Sequence, residues 1–201
     1  PEEWEDEESW DDEAAWYGDQ LVIARLTVLA RQGRFQEYLN LARAEGQTEP
    51  YLTMLVRLGR GREAVAEGLR LLTRPDQALA LAQTLRERED LEGARRIAEH
   101  GLTLEGRKGA LAAWLSELAS GIGAGELALQ AAVIAFRESP SLSAYLRVQE
   151  LAGGWWLELR ANLLDHLRHT SGYSVQQAQV DVFLHEGLID DAIASVREWG
   201  G

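Results

Sequence analysis

The sequence predicts an all-α fold, a curved stack of antiparallel helix pairs, and three observations carry that expectation. Apolar residues recur at three- and four-residue spacing along most of the chain, no segment alternates like a strand, and a glycine-led phrase returns at intervals suited to helical hairpins.

Residues 1–9, PEEWEDEES, are too charged to pack by themselves and read as the disordered end of an acidic linker, with a helical domain over 10–201. Ser9 with Asp12 fits a capping box, and Trp10, Ala14, Tyr17 and Leu21 then share one helical face. Gly18 weakens that helix, and Asp19 is an equally good N-cap for a helix running through Leu21, Ala24 and Val28 to Gln32. Beyond Gly33 the periodicity predicts helices over 34–45, 49–58, 62–72, 76–88, 91–102, 107–120, 125–137, 141–152, 155–169, 174–186 and 189–198, making about six hairpins with the first. Pro50 and Pro75 fall near helix starts, where a missing N–H does no harm, and Pro140 follows Ser139 at a break.

The recurring phrase joins the two helices of successive pairs. It reads Gly33-x-x-x-Glu37-Tyr38, Gly59-x-x-x-Glu63-Ala64, Gly123-x-x-x-Leu127-Ala128 and Gly187-x-x-x-Asp191-Ala192, with Glu89 in the glycine slot before Gly93-Ala94. The anchors lie 26, 30, 34 and 64 residues apart, and the last gap fits two periods with one degenerate copy. In physical terms, the glycine ends one helix in a left-handed conformation, and a small residue five positions later lets the next helix pack closely. Glu89 is therefore expected to adopt the conformation that its sister positions give to glycine. A single hairpin cannot bury such a seam, whereas stacked hairpins can.

The Gly-x-x-x-x-Ala phrase is similar to the tetratricopeptide pattern, and this likeness implies a right-handed α–α superhelix, a solenoid with a concave binding face. Residues 35–199 also resemble the C-terminal helical region of bacterial SWIM zinc-finger proteins, in FQEYLNLARAEG, RRIAEHGLTLEG, AFRESPSLSAYLRVQELAG and FLHEGLIDDAIASV. The Cys-x-Cys and Cys-x-His motif of that family is absent, since the chain has no cysteine. The resemblance implies that the zinc module lies upstream, that the acidic segment is the connecting linker, and that this part is a scaffolding arm carrying no catalytic residue.

Composition narrows the chemistry. The lack of cysteine excludes disulfides, thiolate zinc sites, iron–sulfur clusters and cysteine nucleophiles. No apolar run is long enough to span a membrane, and the acidic start is unlike a secretory signal, so a cytoplasmic location is the default expectation. Starting at Pro1, with Met54 as the sole methionine, the chain reads as a fragment of something longer. Of the 33 acidic residues, ten lie in 1–19 beside no basic one, leaving 23 against 20 Lys and Arg. A nearly neutral body without a basic stripe argues against direct nucleic-acid binding.

The candidate sites favour recognition over catalysis, and no cofactor or metal is expected in this segment. His166 and His169, beside Asp165, have ligand-like spacing, but positive charge near a helix C-terminus explains them better. His100 and His185 suit helix ends before Gly101 and Gly187. Gly121-Ile-Gly123-Ala-Gly125-Glu126 faintly suggests a phosphate loop, yet it follows a helix and lacks the Lys-Ser/Thr ending. Asp11-Asp12 and Asp190-Asp191 are explained by helix starts. Trp4, Trp10 and Trp16 among acids fit either a linear motif or docking on the first hairpin.

The expected function is a non-catalytic scaffold that holds a protein or peptide on the concave face. A structural spacer or dimerisation module is the alternative, and an enzyme with a cryptic site ranks last. Repeat phase nominates Tyr51, Arg57, Gln83, Arg86 and Trp114 from first helices as partner-binding residues. Trp155 and Trp156, in the degenerate copy, either repair the packing seam as buried residues or form an exposed aromatic anchor.

Overall fold

The computed structural model describes residues 20–197, and over them regular structure is helical, with no strand. In chain order the helices are α1 (20–31), α2 (Phe35–Ala44), α3 (Thr48–Arg57), α4 (Gly61–Leu71), α5 (Pro75–Glu87), α6 (Leu91–Gly101), α7 (Gly109–Gly121), α8 (Gly125–Glu138), α9 (Leu142–Ala152), α10 (Trp156–His169), α11 (Tyr173–His185) and α12 (Ile189–Arg197). A single 3-10 turn, Gly153–Trp155, separates α9 from α10. Each segment expected beyond Gly33 holds one helix, and the described ends fall within two residues of those read from periodicity. The Ser9 capping box, the Asp19 cap and Trp4, Trp10 and Trp16 lie outside the described residues, as does the linker over 1–9.

The turns explain why short helices end where they do. Gly33, Gly59, Gly123 and Gly187 take φ of 71°, 79°, 78° and 72°, and Glu89 takes 63° in the same slot. Glu89 is the sole positive-φ residue other than glycine among the described residues. At each turn the next amide reaches back to a carbonyl five residues earlier: Arg34 to Leu29, Arg60 to Leu55, Asp90 to Leu85, Ala124 to Ala119 and Leu188 to Phe183, at 2.8–3.0 Å. This bonding satisfies carbonyls that a helix end otherwise leaves open. The same residue then serves as the next helix's N-cap, and its carbonyl accepts from Tyr38, Ala64, Ala94, Ala128 or Ala192. All five of those residues are buried. Thus one six-residue phrase stops one helix, starts another and supplies the first contact between them. In the Gly121–Gly125 stretch, that geometry accounts for Gly123 as a helix end.

The chain divides between Leu71 and Leu72 into two compact units. In the first, α2 packs on α3 and α3 on α4, around Ala42, Leu52, Leu55 and Ala64, all without exposed surface. Burying each leucine contributes about 1.5–3 kcal/mol.

In the second unit, every helix from α5 to α12 packs on its chain neighbour, and α5 also meets α7 while α9 meets α11. Its later half is centred on Phe136, Tyr145, Leu163, Leu167, Val182 and Phe183. The phenyl of Phe136 and the ring of Tyr145 stand 5.7 Å apart in a tilted pair. Gly101, expected to end a helix, is the last residue of α6 and is also buried in a crossing. A Cβ there would sit 2.5 Å from the Ala78 methyl and 2.6 Å from Leu111 Cδ2, so glycine is required by proximity and not by its turn conformation.

Candidate functional site

Helix α5 places Gln83 and Arg86 three residues apart, hence on one face, and both are exposed. Its packing on α7 carries the Arg86 guanidinium over the Trp114 ring, 5.4 Å from the centroid. Trp114 is 8% exposed, and its indole N–H is buried without a partner. Of the residues nominated by repeat phase, the structure therefore brings Arg86 onto Trp114 and leaves Gln83 exposed on the same helix as Arg86.

A cavity of about 540 Å3 opens between α7, α8 and α9. Ala110, Ala113 and Glu117 line it from α7, Ala132 and Ala135 form the α8 contribution, and Ser143, Ala144 and Arg147 come from α9. Local sequence builds this shape. Gly109, at the start of α7, would bring a Cβ to 2.7 Å from Ser139 Oγ, so the missing side chain lets α7 meet the end of α8 closely. Ser141 caps α9 by accepting from the Ala144 amide at 3.1 Å. Arg147 bridges two walls: Nη1 donates to Glu150 at 2.7 Å, and Nη2 approaches the Ser116 carbonyl at 3.5 Å.

The nominated residues Tyr51 and Arg57 lie on α3 in the first unit. Tyr51 is buried, with Arg43 5.9 Å from its ring centroid, while Arg57 is exposed. In the second unit the two tryptophans of the degenerate copy separate. Trp155 is 69% exposed on the rim of a cavity of about 710 Å3 that also involves Leu129, Leu151 and Leu159. Trp156 turns inward and meets Tyr145 edge-on, ring centroids 5.3 Å apart.

The imidazoles engage different backbone groups: His166 Nε2 lies 3.2 Å from the Arg137 carbonyl, and His169 Nδ1 lies 2.8 Å from that of Asp165. Asp191, at the start of α12, accepts both Nε and Nη2 of Arg168. That bidentate bond, against the opposing effect of burial and with a lesser contribution from the guanidinium's charge, holds the carboxyl below the ordinary aspartate range.

Sequence reasoning missed the half-buried polar cluster of the second unit. Tyr145 donates its hydroxyl to Glu186 Oε1 at 2.7 Å, and Arg160 Nε donates to Oε2 at 2.5 Å. Burial, then the bond to the carboxylate, push the phenol well above its ordinary range. Burial alone would raise the Glu186 carboxyl, but donation from Tyr145 and Arg160 outweighs it and keeps the carboxyl low. No local signal marks this cluster, whose members are separated by 26 and 41 residues.

Among the described residues no helix is long and apolar enough to cross a membrane. The chain matches no protein-family profile and no curated protein.

Proposed function

We propose that the chain is a non-catalytic module that binds an extended peptide, or an extended segment of a protein, along the face shared by α5, α7 and α9. The observation that carries this reading is the exposed Gln83 and Arg86 on α5, with the Arg86 guanidinium over the nearly buried Trp114 ring of α7, a helix that also lines a cavity walled mostly by alanine and serine. An arginine stacked on an indole is a preorganised recognition surface, and side chains no larger than a methyl or hydroxymethyl admit a backbone closely. Stacked hairpins in a solenoid offer such a face along successive first helices, and the packing of α5 on α7 and α9 on α11 supports that arrangement.

Peptides selected from a random display library against the full chain test the proposal. The expected result is a family of binders whose affinity falls about tenfold or more, a loss of roughly 1.4 kcal/mol, in Arg86→Ala and in Ala113→Phe. A library that yields no binder, or binders indifferent to both substitutions, overturns it.

A second reading, self-association, is favoured by one observation. Ile189, Ile193 and Val196 follow helical spacing along α12 and are 43–54% exposed, beside Leu184 at 51%. An apolar strip of this kind buries favourably against a second copy. Sedimentation velocity across a concentration series tests this: a dimer abolished by Ile193→Asp supports it, and a monomer throughout overturns it.

The likeness of residues 35–199 to the helical arm of SWIM zinc-finger proteins supports placing the module in a longer, cytoplasmic protein with a metal-binding part upstream. Reading the coding sequence upstream of Pro1 for Cys-x-Cys followed by Cys-x-His tests that placement.

A further inference from the structure

Of the two adjacent tryptophans, one faces solvent and one the core, and the joint before them fixes that split. Gly153 takes φ of 50° and ψ of −124°, a conformation that residues with a side chain rarely adopt, and it opens the 3-10 turn Gly153–Trp155. Trp156 is then anchored by its edge-on contact with Tyr145, ring centroids 5.3 Å apart. Trp155 is thereby left outside on a held backbone, 69% exposed. An indole positioned in advance gives up little conformational entropy on contact, and tryptophan is enriched at the energetic centres of interfaces.

The cavity at whose rim Trp155 stands is an open cleft between the start of α8, the end of α9 and the start of α10, with a volume of about 710 Å3. Half-buried Leu129, Leu151 and Leu159 line it and keep surface that an incoming side chain can cover. Exposed Glu126 and Glu158 line it too, whereas no lysine or arginine does. Among the described residues neither carboxylate is in an ion pair, and Glu126 accepts from the neutral amide of Gln130 at 3.3 Å. Each acid stands in the first turn of its helix. There the two dipoles together offset about one of the two negative charges, so the cleft keeps about one.

That charge selects the occupant. A partner bearing carboxylates or phosphates is repelled, and so is this chain's own segment 1–19, with ten acidic residues and no basic one. Lysine and arginine suit the cleft in both respects, since their stems cover apolar surface while their heads meet a carboxylate or an indole face. We infer that this cleft is a separate interaction surface for a basic, apolar peptide segment. A side chain the size of leucine or phenylalanine covers Leu129, Leu151 and Leu159, and a neighbouring lysine or arginine meets Trp155 and the carboxylates of Glu126 and Glu158. The cleft shares no residue with the cavity between α7, α8 and α9.

The test is a titration of the full 201-residue chain followed by NMR at the Trp155 indole N–H, using three capped tetrapeptides. These are acetyl-Lys-Leu-Phe-Arg-amide, the charge-reversed acetyl-Glu-Leu-Phe-Glu-amide and acetyl-Lys-Gly-Gly-Arg-amide, which keeps the charge and lacks the apolar pair. The first should shift the Trp155 resonance to saturation. The second should bind at least about tenfold more weakly, and the third, which reports attraction to the acidic chain as a whole, should leave Trp155 unmoved. Glu158→Gln should weaken the first peptide about twofold to fivefold, as expected for an exposed ion pair. A Cβ on Gly125, which lines the cleft, meets nothing within 4 Å, so Gly125→Phe should fill the space and weaken binding about tenfold or more. Both positions are exposed, and melting should change little. No Trp155 shift with the first peptide, an equal shift with either of the others, or binding indifferent to Gly125→Phe overturns the inference. Arg86→Ala should leave this binding unchanged, so the cleft and the face of α5, α7 and α9 stand or fall separately.

Discussion

The hydroxyl of Tyr145 on α9 donates to the carboxylate of Glu186 at the end of α11, 2.7 Å away and 41 residues on in the chain. With Arg160 holding the other oxygen at 2.5 Å, the carboxylate ties α9, α10 and α11 together at the margin of the apolar core. Tyr145→Phe keeps the ring and removes the donor, so it should cost about 1–3 kcal/mol in urea unfolding, the range for leaving a buried polar group short of a partner.

The same cluster sets a pH dependence. The folded-state pKa of Glu186 is depressed, so its contribution is present above the ordinary carboxylate value of 4.5 and is lost as pH falls through the lower folded value. The pKa of Tyr145 is raised, so its contribution is complete below 10.0 and is lost as pH climbs beyond that. Thermal melts should therefore decline on both sides of a neutral plateau. Tyr145→Phe should flatten the alkaline decline, and an unchanged alkaline limb would show that another group causes it.

Glu89→Gly should stabilise the protein by up to about 1 kcal/mol, because glycine occupies positive φ without the strain that a Cβ brings. Around the four sister glycines no atom lies within 4 Å of the point where a Cβ would stand, so the benefit comes from the backbone alone. A melting temperature that stays put or falls would refute the equivalence of the five turns.

Two glycine-to-alanine substitutions separate strain from crowding. Gly101→Ala drives a methyl into Ala78 and Leu111 and should cost about 1–3 kcal/mol through overpacking. Gly123→Ala meets open space but keeps φ of 78°, and should cost about 1–2 kcal/mol through backbone strain. Combined with Leu111→Ala, which makes room beside Gly101, the first substitution should show favourable coupling and the second none. Chemical denaturation of the single and double variants checks this.

Trp155→Ala should change stability by less than about 0.5 kcal/mol, as expected for a surface position. Trp156→Ala removes the ring packed edge-on against Tyr145 and should cost several times more. Equal effects would mean that the two tryptophans are not divided between surface and core.

The helices were legible because a 3.6-residue period and a positive-φ joint are both local properties. The glycine slots marked their ends, and even Glu89 was betrayed by its distance from the other anchors. The candidate surface was legible only in part. Gln83 and Arg86 are exposed as repeat phase implies, but Tyr51 and Trp114 share that phase and are buried, since periodicity groups residues on a face without saying which large ones their neighbours cover. Ser116, Arg147, Tyr145 and Glu186 went unremarked because their significance arises from contacts between helices. An isolated serine or arginine in an amphipathic segment looks like any other surface polar residue.

In the second unit, each helix finds its packing partners at the next helix or the one after it. Closing such short loops costs little entropy, and proteins assembled this way fold quickly. A nascent chain can accordingly consolidate hairpin by hairpin during synthesis, sheltering its oily surfaces progressively, without waiting for the final residues to emerge.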